Sequence, residues 1–442
     1  MSNLRQRGAE NEEAFDSVSS SALAEAGFRN SLSQRALAWM KSNAVLCVSC
    51  CLALATCFVV PPDGAYLDYV DVKTIACLFS ILAVVGAMRN LGVFQYAAKK
   101  IIHRFGGCRA AVCALVGVTL VISMVATNDM ALIMMLPLSA ATLLAAGWGR
   151  ALPFTFVMQN LAANLGGMIL PFGNPQNLYL FEYFHIELID FLRAMALPFA
   201  VSVLLIGLCC ALRAYDEQDC LVGNSSRKAH ASPAPFALPN YRIRAKREAT
   251  QHRFLHLDGR ARRRLSAAVY AALMLVTILA VFRIVHYLVA VALVVAVLAF
   301  MDRKAIQSLD YGLLLTFVFF FVFAGNVSRI PAMDYVLTGL MSQWPLAVSA
   351  GLSQVISNVP SAVLLSHFTE SWQALLVGVN IGGAGTIVGS LASLITLQHY
   401  RVVRPDIPEG SKGRLSTPRF IGYMTAYNMV FLAILFIACS LV

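Results

Sequence analysis

Two polar interruptions of apolar sequence carry the residues best suited to hold an ion or a small solute. The first runs Asn164-Leu165-Gly166-Gly167 to Gly173-Asn174-Pro175-Gln176-Asn177, the second Asn380-Ile381-Gly382-Gly383 to Gly389-Ser390-Leu391-Ala392-Ser393. Gly, Asn, Ser and Pro break helices and leave backbone groups free, which lipid forbids unless the broken segment lines a cavity. Carbonyls at a half-helix C-terminus can coordinate Na⁺, and amides at a half-helix N-terminus face an anion. A second pair of breaks falls inside the apolar runs 109–147 and 346–368, at Thr127-Asn128-Asp129 and Ser357-Asn358-Val359-Pro360. Each supplies a hydroxyl and an amide, and the amide offers both donor and acceptor.

Asp129 is the only acidic residue in the run 109–147. An ionisable group at membrane depth is a functional candidate by default. Two roles stay open: a carboxylate capping the second arm of the hairpin, or a coupling group that binds a cation or exchanges a proton. The expected substrate contacts are Thr127, Asn128, Asn174, Asn177, Ser357, Asn358, Ser390 and Ser393. The expected coupling-ion contacts are Asn128, Asp129, Gly173, Asn358 and Gly389. Thr155, Gln159, Asn160 and Asn164 form a polar stripe that supports the site. Gly166-Gly167 and Gly382-Gly383 suit close helix packing. His367 reads as interfacial, and Arg283 with His286 as a tight external turn.

The elements that position these residues must be helices in a bilayer. The chain of 442 residues is 59% hydrophobic and 13% charged, with a mean hydropathy of +0.70, far more apolar than a soluble core requires. The net charge of +11 lies in clusters between apolar runs, the pattern of positive-inside loops rather than of nucleic-acid binding. Most of the 11 cysteines fall in predicted spans and read as small hydrophobes. No transition-metal set, ATP-binding loop, zinc-protease motif or nucleophile elbow occurs, so the chain reads as neither a pump nor an enzyme. No cofactor is expected beyond bound sodium ions.

The fold class expected is an all-α polytopic membrane protein with about 9–11 transmembrane helices and two re-entrant hairpins. A polar cytoplasmic tail (1–43) precedes a first repeat (44–212) with its hairpin at 109–147. A basic cytoplasmic linker (213–264) leads to a connecting helix and second repeat (265–442) with its hairpin at 346–370. Placing the N-terminus inside puts Arg89, Lys99, Lys100, the basic linker, Arg303 and Arg401 inside, and Asp63, Asp68, Glu182 and Glu187 outside. The C-terminus then falls outside. An odd number of crossings between the hairpins makes the repeats inverted. The segment 92–104 looks amphipathic and is expected to lie on the inner surface.

The stretches 127–133, 164–177, 357–365 and 380–390 resemble the ion transporter superfamily that includes divalent-anion/sodium symporters, citrate transporters and arsenite permeases. The resemblance implies an elevator-type secondary transporter, often dimeric, with a scaffold and a mobile domain holding the hairpins and broken helices. Dicarboxylate members of that group carry Ser-Asn-Thr at both tips; here the final hydroxyl is missing twice. Asn-Asp at the first tip is closer to arsenite permeases and some sodium/proton antiporters. The expected function is secondary-active transport of a small anion, a carboxylate or an inorganic oxyanion, coupled to Na⁺ or H⁺ across the plasma membrane. The alternative is arsenite efflux or sodium/proton exchange using Asp129.

Overall fold

The computed structural model describes residues 43–93, 107–213, 259–408, 411 and 413–441. The expectations for the tail 1–43, the segment 92–104 and the linker 213–264 fall almost entirely outside them. All regular structure among the described residues is helical. Seven helices are long and apolar enough to cross a membrane, and four shorter ones are equally apolar. With the composition, they establish a polytopic membrane protein.

Before the first hairpin come α1 (Ala44–Cys57), the short α2 (Tyr66–Tyr69) and α3 (Val72–Leu91). Asp71 starts α3 by accepting a hydrogen bond from the Thr74 amide at 3.1 Å, and Gly92, with φ 73°, ends it in the left-handed conformation. The first hairpin is α4 (Cys108–Val125) and α5 (Asn128–Ala145), each of 18 residues. That is about 27 Å of helix, so either arm has the length of a crossing. The first interrupted helix follows as α6 (Leu152–Gly166) and α7 (Pro175–Tyr183), then α8 (Leu188–Leu212).

Past the linker, α9 (Gly259–Val281), α10 (Tyr287–Met301), α11 (Arg303–Gln307), α12 (Tyr311–Ser328) and α13 (Pro331–Gln343) lead to the second hairpin. Its arms, α14 (Pro345–Ile356) and α15 (Asn358–Leu365), are much shorter, 12 and 8 residues. The second interrupted helix is α16 (Trp372–Gly382) and α17 (Leu391–Val403), and α18 (Thr417–Ser440) closes the chain. Hairpin, interrupted helix and long helix thus recur in one order in both halves.

Packing brings the two series together. α1 lies along α12, and α3 against α9 and α10. The first hairpin packs on α6 and, through α5, on α17 from the other half; the second packs on α16 and, through α15, on α7 from the other half. Each hairpin therefore grips its own first half-helix and the partner's second. Small residues make the grip close. A Cβ on Gly166 would strike Ser123 Oγ and lie 2.8 Å from the Leu120 carbonyl oxygen; one on Gly382 would lie 2.7 Å from the Ser353 Cβ. These contacts give Gly166 and Gly382 the helix-packing role that the sequence suggests.

Candidate functional site

Where the interrupted helices pass each other, side-chain amides and hydroxyls make a connected set of hydrogen bonds. Asn164 Oδ1 accepts from Ser390 Oγ at 2.7 Å and from Asn128 Nδ2 at 3.1 Å, tying the first break to the second and to the first hairpin tip. Its backbone oxygen accepts from Asn174 Nδ2 at 3.3 Å. Asn380 Nδ2 donates to Asn177 Oδ1 at 2.6 Å and to the Leu376 carbonyl at 2.8 Å, while its Oδ1 accepts from Gln176 Nε2 at 3.3 Å. One helical turn before Asn164, Asn160 Nδ2 donates to Ser393 Oγ at 3.2 Å. All of these residues are buried. A buried polar group without a partner costs about 1–3 kcal/mol, so this lattice fixes the crossing as well as any apolar contact would.

The hairpin tips are built alike at their second residue. Asn128 Oδ1 accepts from the Asp129 amide and Asn358 Oδ1 from the Val359 amide, each at 2.9 Å. The asparagines, not Asp129, thus satisfy the opening amides of α5 and α15. Asp129 lies in the first turn of α5, and its Oδ1 is buried with no hydrogen-bond partner. The capping role is therefore filled without it. The first residues differ: Thr127 is extended, at φ −57° and ψ 151°, whereas Ser357 has φ 77°. Ser357 Oγ donates towards Asn358 Oδ1 at 3.3 Å and the Gly389 carbonyl at 3.4 Å. A non-glycine residue at such a φ is strained by about 1–3 kcal/mol, and the second tip holds it in place.

Between the tips lies a cavity of about 360 Å³. Its polar lining is Asn128, Asp129, Gln176, Thr316, Ser357, Asn358 and Ser390, closed by apolar residues of α1, α12 and the second hairpin. Of the expected contacts the structure brings together Asn128, Asp129, Ser357, Asn358 and Ser390. Thr127, Asn174, Asn177 and Ser393 are buried in the surrounding lattice, outside the lining. Gly173 and Gly389 shape the loops: a Cβ on Gly173 would collide with the Gly167 carbonyl, and one on Gly389 would lie 2.9 Å from the Gly382 carbonyl. Gln159 donates to Thr119 Oγ1 and Ser139 Oγ, each at 2.8 Å, so the polar stripe on α6 supports rather than lines the cavity.

Sequence reasoning took Pro175 only as a helix breaker and gave no site role to Gln176 or Gln354. The first two line the cavity at the start of α7, and their only signal was adjacency to Asn174. Gln354 Nε2 donates to the Gly382 carbonyl at 2.8 Å, and its Oε1 accepts from the Thr386 amide at 2.7 Å, pinning the second break to the hairpin. A cluster of ions outside the cavity was missed too. Glu182, buried at the end of α7, receives Lys73 Nζ of α3 at 2.6 Å and Arg283 Nε at 3.3 Å. Arg283 occupies the turn expected of it, with φ 62°, and is also this ion-pair partner. His367 lies in the 3-10 turn after α15, 3.3 Å from the Tyr183 hydroxyl.

Chemically, the cavity has two properties. Four helices, α5, α7, α15 and α17, begin at its wall, at Asn128, Pro175, Asn358 and Leu391. Their N-termini present positive partial charge to whatever occupies the space. Among the described lining residues Asp129 is the single ionisable side chain. Among the described residues no Lys, Arg or His lines it to pair with an anion.

The chain is 29% identical over 335 residues to an uncharacterized transporter of Methanocaldococcus jannaschii, covering 74% of this chain and 81% of the relative. It is 28% identical over 336 residues to the inner membrane protein YbiR of Escherichia coli, covering 74% and 80%. It is 24% identical over 405 residues to a silicon efflux transporter of rice, Oryza sativa subsp. japonica, covering 78% and 82%. The family model described as citrate transporter matches residues 36–376, a span that holds both hairpins and the first interrupted helix. The chain belongs to the citrate transporter family.

Proposed function

We propose that this protein carries a small anion, a carboxylate such as citrate or a dicarboxylate or an inorganic oxyanion, across the plasma membrane, coupled to a Na⁺ or proton gradient. The observation that carries this reading is the convergence of four helix N-termini on a cavity in which Asp129 is the one ionisable side chain among the described residues. Each N-terminus favours an anion by about 0.3–1 kcal/mol, so together they contribute roughly 1–4 kcal/mol. A charged Asp129 about 5 Å from the anion opposes it by about 3 kcal/mol at an effective dielectric of about 20. The two nearly cancel. A proton or Na⁺ on Asp129 removes the opposing term and raises affinity by roughly two decades. Substrate and cation then bind together, which is the requirement for symport.

In this reading Asn128, Ser357, Asn358 and Ser390 contact the substrate, and Thr127, Asn174, Asn177 and Ser393 hold them. Asn128, Asp129 and Gly173, with Asn358 and Gly389 opposite, form the coupling-ion sites. The hairpins and interrupted helices move as one body against a scaffold of α1, α3, α9, α10 and α12, as inverted repeats in an elevator, within a homodimer. The N-terminus is cytoplasmic and the C-terminus external. A second reading, export of a neutral hydroxy acid such as arsenite with Asp129 exchanging a proton, is favoured by the lack of a basic side chain among the described cavity residues and by the silicon efflux relative. Uptake of labelled citrate, succinate, sulfate and arsenite into proteoliposomes, under a Na⁺ and then a pH gradient, separates the two. Saturable uptake of one anion under one gradient supports the first. Silence for the three anions with gradient-dependent arsenite movement supports the second.

A further inference from the structure

The two interruptions carry matching motifs, yet their oxygens are used differently. In the first, Asn177 Nδ2 spans the Gly167, Met168 and Leu170 carbonyls at 3.2–3.4 Å. Even so, three buried side-chain oxygens there have no partner: Asp129 Oδ1, Asn174 Oδ1 and Gln176 Oε1. Asp129 and Asn174 both hang from the Asn128–Asn164 pair, through the Asp129 amide on Asn128 Oδ1 and through Asn174 Nδ2 on the Asn164 carbonyl. In the second, among the described residues 345–403, no buried side-chain nitrogen or oxygen lacks a partner.

The Gln354 side chain is packed into that second break. Its Nε2 donates to the carbonyls of Ala350 and Gly382, both at 2.8 Å, and its Oε1 accepts from Thr386 N at 2.7 Å. Thr386 Oγ1 returns a bond to the Gln354 carbonyl at 3.0 Å. The amide lies flush in the loop, since a Cβ on Gly385 would collide with it. An amide NH₂ aimed at carbonyls beside a helix break, here those of Ala350 and Gly382, offers them the positive partial charge that a bound cation would. Four residues before the other tip asparagine, Asn128, the first half has Met124, which can supply no such group.

We propose that the protein holds a single coupling cation, at the first tip and break between Asp129 and Asn174, and that the Gln354 side chain permanently fills the corresponding place in the second break. This rests on the cation-coupled reading above, and narrows its two symmetric coupling sites to one. The test uses the purified full-length chain. Thermal stabilisation is titrated with NaCl against choline chloride, and with pH, and bound ²²Na⁺ is counted at saturation. The proposal predicts one cation with a Hill coefficient of about 1, lost in Asp129→Asn. Gln354→Glu, which replaces the resident amide by an anionic ligand, is expected to add a second cation and steepen the titration.

Two cations in the wild type, or one that survives Asp129→Asn, overturns the proposal and leaves coupled transport standing. A Gln354→Glu protein that folds but keeps a single cation overturns the role given to Gln354. If that variant does not fold, wild-type stoichiometry and Asp129→Asn decide alone. No dependence on Na⁺ or pH removes the coupled reading itself, and this inference with it.

Discussion

Exchanging Asn164 for Asp should be far less damaging than the same exchange at Asn380, although the two residues open matching motifs. Asn164 works as an acceptor: its Oδ1 takes bonds from Ser390 Oγ and Asn128 Nδ2, while its own Nδ2 is buried without a partner. A carboxyl group keeps both bonds, and the cost of burying its charge is shared with the same exchange at Asn380. Asn164→Ala, in contrast, strands two buried donors at about 1–3 kcal/mol each, roughly 2–6 kcal/mol in all. Asn380 works mainly as a donor, to Asn177 Oδ1 at 2.6 Å and the Leu376 carbonyl at 2.8 Å. Asn380→Asp turns both contacts into oxygen facing oxygen and should cost at least about 3 kcal/mol. Thermal unfolding in detergent, read by a thiol-reactive dye reporting on the buried Cys77 and Cys210, measures the order. The expected ranking is wild type, then Asn164→Asp, then Asn164→Ala, with Asn380→Asp no better than Asn380→Ala. If Asp is equally harmful at both positions, or is spared at Asn380 and harmful at Asn164, the donor and acceptor roles assigned to the crossing are wrong.

Gly166→Ala should cost about 1–3 kcal/mol, because its new methyl meets Ser123 Oγ and the Leu120 carbonyl, which is backbone and cannot yield; a melting point equal to wild type would contradict the packing. Around Glu182, Lys73→Ala and Arg283→Ala should each be mild, since the remaining cation still pairs with the carboxylate. The double variant leaves a buried carboxylate unpaired and should lose more than the sum, up to about 3–5 kcal/mol, whereas strict additivity in a double-mutant cycle would deny the shared pairing. Arg329 donates to Asp63 and holds its carboxyl below the usual carboxylate range. A depressed folded pKa gives stability that is present above the unfolded carboxylate pKa and lost as pH falls through the folded value. Arg329→Gln should therefore abolish a small acid-side loss of melting temperature; the pair is exposed, so an unchanged acid limb would mean that solvent screens it completely.

Much of the architecture was legible because lipid punishes polar sequence so strongly. Apart from α2, α11 and α13 the helices follow the apolar runs, and the breaks at Thr127, Ser357, Gly173 and Gly389 stand where Gly, Asn, Ser and Pro interrupt them. The motif symmetry also predicted that Asn128, Ser357, Asn358 and Ser390 share one space, as the cavity shows. What the motifs could not convey is which face of a short half-helix turns to the cavity. Asn177 and Ser393 are polar for the sake of the crossing, and Asn177 spends its amide NH₂ on three carbonyls of its own loop. Gln354 was invisible because its partners, Gly382 and Thr386, are distant in sequence and only the grip of α14 on α16 brings them near. The Glu182 cluster was hidden for the same reason, its cations coming from α3 and from the turn before α10.

The central claim is that the cavity between the hairpin tips is where the transported solute binds. The direct test is gradient-driven uptake into proteoliposomes by wild type, Asn128→Ala, Asn358→Ala and, as a control, Trp344→Ala, which lies in a separate groove among α8, α14, α16 and α18. Each protein is first shown to be folded by its melting transition. Saturable wild-type uptake that falls at least about tenfold in both asparagine variants, the loss of roughly 1.4 kcal/mol or more of binding, and persists in the control is the result expected. Wild-type rates in both asparagine variants would place the site elsewhere.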